Sequence, residues 1–319
     1  MSFVGALLKR LSPSHQDNGL ERIASNWKEP DATGAHIPEW KDDLSRDITP
    51  KNCHSHNDYW RSAPLYSALA AGCTGIEADI WLESDSELRV SHDKRSIRQH
   101  RTLKSLYLDP LSEIMTHRNV SVASTGTREA GVFDKSPEAS VILLIDFKTD
   151  GHETWPVLVE QLRPLHEKGW LSYFNGSHVL PGAITVVGTG NTPFDLVQEM
   201  ASDRFIFFDA PLESLSSDVY TSENSYYASI ELKKAVGSVW LSGFNSGQEE
   251  TLKKQIEEAG EKGLVSRYWG TPDWPVSRRN KVWVKLMELG VGTLNVDDLE
   301  GATRWDWGWC VVAGLNLCG

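Results

Sequence analysis

The chain has 319 residues, 40% of them apolar and 9% aromatic, with a formal net charge of −12. That length fills one large α/β domain or two small ones and allows a sizeable core. The acidic balance and the lack of any dense basic run exclude a general nucleic-acid binder, though not one anionic substrate held by a few local cations.

Residues 1–46 are polar and broken by prolines and glycines, and they read as an arm ahead of a single domain over 47–319. The opening MSFVGALLKRLSPS has too short an apolar run for a secretory core, and its positive flank follows that run rather than preceding it. No apolar stretch approaches the ~20 residues of a membrane span. Cys53, Cys73, Cys310 and Cys318 show no CxxC spacing. That argues against a zinc site or a dense disulfide framework and leaves room for one long-range disulfide. The expectation is an intracellular, cytoplasmic protein of open oligomeric state.

Beyond the arm, eight β-branched apolar runs alternate with helical patterns, at 48–53, 75–81, 141–147, 183–187, 205–209, 226–230, 264–268 and 292–296. Several are unbroken, as parallel strands buried on both faces require. Ser62 precedes Pro64, Leu65, Ala68 and Leu69, with Gly72 just past the end, the proline-early, glycine-late order of a helix. Thr192-Pro193 opens another helix, and Ser246 opens a third with Leu252, Ile256 and Ala259 on one face. Residues 276–289 carry Val282, Trp283, Leu286 and Leu289 on one stripe and stop at Gly290. This alternation predicts a (β/α)8 barrel. A doubly wound open sheet is the rival, but no glycine-rich phosphate loop follows the first strand. The connection from 94 to 140 is long. It holds a helical patch at 103–116 and a Ser/Thr/Gly-rich stretch at 121–131, expected to be a mobile lid within a mobile 117–140 segment.

In such a barrel the chemistry sits at the carboxyl ends of the strands. Glu77 and Asp79 lie two apart on an apolar strand, so both leave the same face. Asp146 and Lys148 end the run VILLIDFK; His54, His56 and Asn57 follow the first strand; His92-Asp93 ends a short second run, 88–91. Carboxylates in apolar strands are costly unless paired or bound to a cation. Glu77, Asp79 and Asp146 with completing waters suit Mg²⁺, with Ca²⁺ or Mn²⁺ as substitutes. Two imidazoles near an anion can serve as base and acid at phosphorus, and Lys148 can hold charge on phosphate oxygens. Arg267, Trp269 and the cluster Asn295, Asp297, Asp298 end the last two strands and are candidates to shape a substrate pocket, with Asp298 better suited to capping a closing helix. Asp209 is divided evenly between site and loop. Thirteen tryptophans are many for this length. Trp60, Trp81, Trp269, Trp274 and Trp283 lie near these motifs, so some are expected to line a site, although packing is the commoner role.

His54-x-x-Asn57, Glu77-x-Asp79, His92-Asp93 and Asp146-x-Lys148 together resemble the phospholipase-C-like phosphodiesterase superfamily, near its sphingomyelinase D-type and glycerophosphodiester phosphodiesterase branches. HSHNDYWRSAPLYSALAAGCTGIEADIWL, LRVSHD, LYLDPL and GVGTLNVDDLEGA are most similar to the fungal family called altered inheritance of mitochondria protein 6, over about residues 48–302. The resemblance implies one Mg²⁺ held by Glu77, Asp79 and Asp146, His54 and His92 as the acid–base pair, and Lys148 on the phosphate. The Glu-Asn-Thr motif of glycerophosphodiesterases is absent, with Ala63-Pro64-Leu65 in that region, which leans toward the sphingomyelinase D arrangement. His54-x-His56 leaves the first histidine ambiguous, and the spacing to Asn57 favours His54. His56, Asn57, Lys148, Arg267, Trp269 and Asn295 are the expected substrate contacts.

The resulting expectation is a Mg²⁺-dependent phosphodiesterase acting on a small-molecule or lipid phosphodiester: a lysophospholipid, a sphingolipid or a glycerophosphodiester. Attack by a neighbouring hydroxyl would give a cyclic phosphate. A metal-dependent lyase or cyclase on the same barrel is the alternative. A His-x-His zinc or iron site of amidohydrolase type is a further one. A non-catalytic barrel is disfavoured because no motif position is lost.

Overall fold

The computed structural model describes residues 18–36, 39–120, 130–303, 311–312 and 315–316. The first strand, β1 (Lys51–Ser55), is followed by β2 (Cys73–Leu82) and a short β3 (Leu88–Val90). Then come β4 (Val141–Phe147), a small hairpin of β5 (Tyr173–Phe174) and β6 (Val179–Leu180), and β7 (Ile184–Gly190). Next are β8 (Ile206–Pro211), β9 (Ser225–Glu231), β10 (Val265–Trp269) and β11 (Thr293–Val296). The sheet order is β1-β11-β10-β9-β8-β7-β4-β2, and β1 also pairs with β2, so eight strands close into a barrel. Every pairing around the ring is parallel. Within this sheet β3 alone runs antiparallel, as a hairpin on the far end of β2. The fold is a (β/α)8 barrel.

The unbroken strands follow from this closure. On β4, Val141, Leu143 and Ile145 pack outward into the layer under the helices, while Ile142 and Leu144 join Val187 and Tyr227 in a second cluster. Both faces of the strand are apolar, and alternation disappears from the sequence. Connecting helices include Tyr66–Ala71, Gly151–Glu167, Phe194–Glu199, Ser246–Glu261 and Val276–Glu288. The helix Ser246–Glu261 is opened by a capping box between Asn245 and Gln248 and buries Leu252, Ile256 and Ala259. Among the described residues no helix is long and apolar enough to cross a membrane.

Three sequence expectations change, and a fourth falls outside the described residues. The lead-in is packed from residue 18 onward: the helix Gly19–Ser25, capped by Asn18, buries Leu20 and Ile23 and lies against the helix Tyr66–Ala71. The first strand runs 51–55 rather than 48–53, so His54 lies within it and not after it. Residues 121–129 of the expected lid lie outside the described residues. The described residues flanking it include the buried Val120, Val132 and Phe133. Finally, Cys53 and Cys73 form a disulfide between β1 and β2. Disulfides persist in oxidising surroundings, so cysteine usage no longer supports an intracellular location.

Candidate functional site

Adjacent parallel strands leave the barrel side by side, and register then decides which side chains meet. Asp79 of β2 is the direct partner of Asp146 of β4, and Glu77 sits two residues earlier on the same face of β2. Carboxylate oxygens of all three lie within 4.8 Å of one another. Lys148, just past β4, places Nζ 2.6 Å from Asp146 Oδ2 and 3.0 Å from Asp79 Oδ2. Arg267 of β10 places Nη2 3.2 Å from Glu77 Oε2.

The electrostatics of this cluster differ from residue to residue. Burial, Glu77 and Asp146 push the Asp79 carboxyl up to about 7 against the pull of Lys148. Burial also opposes ionisation of Glu77, but Arg267 and the His54 imidazole hold it well below the usual carboxylate range. Asp79 Oδ1 is buried with no hydrogen-bond partner. An orphaned buried carboxylate oxygen, in a cluster of hard oxygen donors short of positive charge, is what a divalent cation would satisfy. The residues present fit a single hard cation, and the expected donor set Glu77, Asp79 and Asp146 is brought together.

Two histidines reach the rim. The pairing of Ser55 with Val296 carries β1 and β11 out together, so His56 and Asp297 emerge as neighbours. His56 Nδ1 lies 2.9 Å from Asp297 Oδ1, and the backbone N–H of His56 donates to the Val296 carbonyl at 3.1 Å. Arg61 bridges this pair from outside, donating to the carbonyls of His56, Val296 and Asp297. Burial lowers the affinity of His56 for a proton, yet the Asp297 hydrogen bond and the charges of Glu77 and Asp297 carry its pKa above the ordinary histidine value. His92 follows β3. A hydrogen bond from the Ser91 N–H to the Asp79 carbonyl, and one from Trp81 Nε1 to the Ser91 carbonyl, fix the hairpin that bears it. Its Nδ1 is 3.6 Å from Asp79 Oδ2, and its ring is half exposed. Asp93, paired with it in the motif, caps the turn Lys94–Ser96.

His54 is placed differently from the sequence expectation. Its side chain points into the barrel and is fully buried, with Nε2 3.5 Å from Glu77 Oε2 and Nδ1 3.4 Å from the Tyr227 hydroxyl. Gly75 on β2 has no room for a side chain beside it: a Cβ there would stand 2.5 Å from His54 Nδ1. Burial and the Arg267 charge push its pKa down to about 4, leaving it neutral at ordinary pH. It stands beside Glu77 on the interior side of the barrel. The reason is the strand boundary: a side chain inside β1 faces the core, whereas His56 is the first residue free of the ladder. The two imidazoles turn to different partners, so they do not form a His-x-His metal site.

Arg267 and Asn295, expected as substrate contacts, are also interior. Arg267 is 3% exposed and Asn295 2% exposed. Arg267 Nε donates to Asn295 Oδ1 at 3.0 Å, and its Nη1 lies 3.7 Å from Asp209 Oδ2. This network is a floor of paired charges beneath the carboxylates, and Asp209 belongs to it rather than to a loop. Trp269 ends β10 and is partly exposed at the rim. Asp298 caps the helix Leu299–Thr303, accepting from the Gly301 N–H at 2.9 Å.

Sequence reasoning missed Tyr59. Asn57 takes a left-handed backbone conformation (φ 48°, ψ 46°), and the turn Asp58–Trp60 folds the chain back over the strand ends. The Tyr59 hydroxyl then lies 2.8 Å from Asp79 Oδ2, 2.6 Å from Asn57 Oδ1 and 3.2 Å from His92 Nδ1. With one proton to give, it donates to one of these at a time. Buried Asp58 holds the turn, accepting from Ser55 Oγ and from the Leu65 N–H. The signal was the stretch HSHNDYWR itself, in which an Asn that tolerates the left-handed region precedes a compact turn.

A family model described as the AIM6-like phosphodiesterase domain matches residues 42–209. The altered inheritance of mitochondria protein 6 homolog of Arthroderma benhamiae is 40% identical over 277 residues, covering 83% of this chain and 87% of that protein. Altered inheritance of mitochondria protein 6 of Eremothecium gossypii is 36% identical over 278 residues, with coverage of 82% and 71%. Among solved structures, a glycerophosphodiester phosphodiesterase from Thermotoga maritima is 16% identical with a TM-score of 0.41, covering 79% of this chain and 96% of that one. Phosphatidylinositol-specific phospholipase C from Listeria monocytogenes is 11% identical with a TM-score of 0.42, with coverage of 82% and 93%.

Proposed function

The chain belongs to the altered inheritance of mitochondria protein 6 family and carries its phosphodiesterase domain, and on that premise we propose that it is a Mg²⁺-dependent phosphodiesterase in which His56 and His92 move the protons. The observation that carries this reading is the three-carboxylate cluster with one rim imidazole beside its Asp79 edge and another, oriented by Asp297, on the neighbouring strand end.

Glu77, Asp79 and Asp146 would hold the cation, which when bound supplies positive charge for the nonbridging phosphate oxygens. His56, with Nδ1 turned to Asp297, offers Nε2 as the base that takes the proton from a hydroxyl neighbouring the phosphodiester. That oxygen attacks phosphorus, and the bond to the leaving alcohol breaks. His92 returns a proton to the leaving oxygen, its ring held beside the Tyr59 hydroxyl. Lys148, partly exposed and already paired with Asp79 and Asp146, adds a fixed positive charge at the same edge. The product of this sequence is a cyclic phosphodiester, opened by water only where water enters. Lysophospholipids, sphingolipids and glycerophosphodiesters can each supply a phosphodiester with a neighbouring hydroxyl. The test is incubation of each with the full chain, with Mg²⁺ and with chelator, read by mass spectrometry. Mg²⁺-dependent loss of a phosphodiester supports the reading. No turnover of any member of the panel overturns it.

A further inference from the structure

The mouth of the barrel is apolar in a way that a site for a freely dissolved polar substrate does not need. All four tryptophans that are exposed among the described residues stand at this end: Trp60 at 63%, Trp240 at 76%, Trp269 at 40% and Trp274 at 75%. Leu241, beside Trp240, is 63% exposed. Trp60 sits in the turn after β1, Trp240 and Leu241 in the loop past β9, and Trp269 and Trp274 at and just beyond the end of β10. Strands β1, β11, β10 and β9 are successive neighbours in the ring, so these side chains occupy one arc of the rim. An exposed apolar patch of this kind marks a surface for a partner or a membrane.

We propose that this arc docks the enzyme on a lipid bilayer, with the tryptophans and Leu241 entering the headgroup boundary and the phosphodiester presented from the membrane. The inference rests on the phosphodiesterase reading of the site and names where its substrate lies. Three observations favour a bilayer over a second protein. The patch is built from aromatic residues whose ring is apolar and whose N–H is polar, the combination that partitions to membrane interfaces. It is continuous with the catalytic mouth, since the Trp60 and His92 rings lie 4.8 Å apart. Next to it, on the turn after His92, the side chains of Lys94 and Arg95 are exposed and have no partner among the described residues, two cations placed to meet lipid phosphates in a chain of net charge −12. That same net charge opposes mouth-to-mouth stacking of two copies.

The test separates docking from turnover. The full chain carrying Asp79→Asn, so that no lipid is consumed, is co-sedimented with vesicles of phosphatidylcholine alone and of phosphatidylcholine with about one third phosphatidylserine. Partition to vesicles is expected, stronger with the anionic lipid. Trp240→Ala combined with Leu241→Ala, and separately Trp274→Ala, should each weaken it about tenfold or more. Met287→Ala, an exposed apolar residue near the far end of the helix Val276–Glu288, should leave it unchanged. Turnover of a water-soluble glycerophosphodiester by the Trp240→Ala, Leu241→Ala protein should match that of the parent. Absence of partition at both compositions overturns the proposal. So does equal loss on Met287→Ala, or a dimer in sedimentation velocity that the Trp240 variant dissolves. Partition that follows the rim variants, with no turnover of any phosphodiester, would keep the docking surface and overturn the catalytic reading instead.

Discussion

His56 Nδ1 lies 2.9 Å from Asp297 Oδ1, across the seam where the first and last strands of the barrel close on each other. The contact fixes which ring nitrogen faces the site and raises the affinity of the ring for a proton. His56→Ala should therefore lower kcat by about 10²–10⁴-fold, the usual range for a general acid or base, with Mg²⁺ affinity nearly intact. Asp297→Asn should lower kcat less. It should also move the acid limb of the pH–rate profile downward, because the ring loses the partner that favours its charged form. A limb that stays in place would show that His56 is not the base.

His54→Gln should behave as a core substitution. The native imidazole is fully buried and neutral, wedged between Glu77, Tyr227 and the bare backbone of Gly75. We expect a loss of about 1–3 kcal/mol in urea unfolding, in the range for buried polar contacts, with activity falling through a displaced Glu77. A His54→Gln protein of native stability that lacks activity, set beside an active His56→Ala, would return the catalytic role to His54.

Asp79→Asn should abolish activity and Mg²⁺ binding while leaving the cation-free protein as stable as the parent at pH 8, or more so. The sign follows from the raised carboxyl. With a folded-state value of about 7 against 3.8 unfolded, Asp79 favours folding while protonated, and that advantage is lost as pH rises through about 7. In chelator, parent stability should fall between pH 5 and pH 8 by on the order of 1 kcal/mol or more, and the variant should lack that component. Mg²⁺ should restore the parent alone. A parent whose pH slope ignores Mg²⁺ would count against the site.

How much of this was readable follows from where each residue sits relative to a strand end. The barrel strands were legible because closure buries both faces and leaves unbroken runs such as VILLIDF. The carboxylate cluster was legible because Glu77, Asp79 and Asp146 interrupt those runs. The end of β1 was not, because Cys53-His54-Ser55 looks polar and loop-like, while a barrel interior also accepts polar residues that pair with others across the ring. The pairings of Arg267, Asn295 and Asp209 were hidden for the same reason: their partners come from strands far apart in sequence. Asp297 appeared only as one member of a cluster, since its partnership with His56 depends on the closing register of β1 with β11.

Arg267→Met should cost about 3–5 kcal/mol, since it leaves Glu77 and Asp209 buried without their cation. The double variant with Glu77→Gln should recover part of that loss, because one of the two stranded charges is removed. Chemical unfolding of the three proteins measures the coupling. Additive losses would mean that the two side chains act independently.

Gly190 supplies the last test of the metal assignment from a residue that contributes no ligand. It ends β7 at φ +64°, and a Cβ there would stand 2.0 Å from Asp146 Oδ1 and 2.9 Å from the Phe147 carbonyl oxygen. Gly190→Ala must therefore push the Asp146 carboxylate aside. Gly237 has a similar backbone angle, φ +74°, with open space around its missing side chain. Gly237→Ala thus carries backbone strain of its own, at φ 74° and ψ −161°, without the collision. If Asp146 ligates the cation, Gly190→Ala should weaken Mg²⁺ binding by about tenfold or more, a difference of ~1.4 kcal/mol, while Gly237→Ala titrates as the parent does. Calorimetric Mg²⁺ titration of the two variants distinguishes a displaced ligand from general loosening. Equal affinities would remove Asp146 from the donor set.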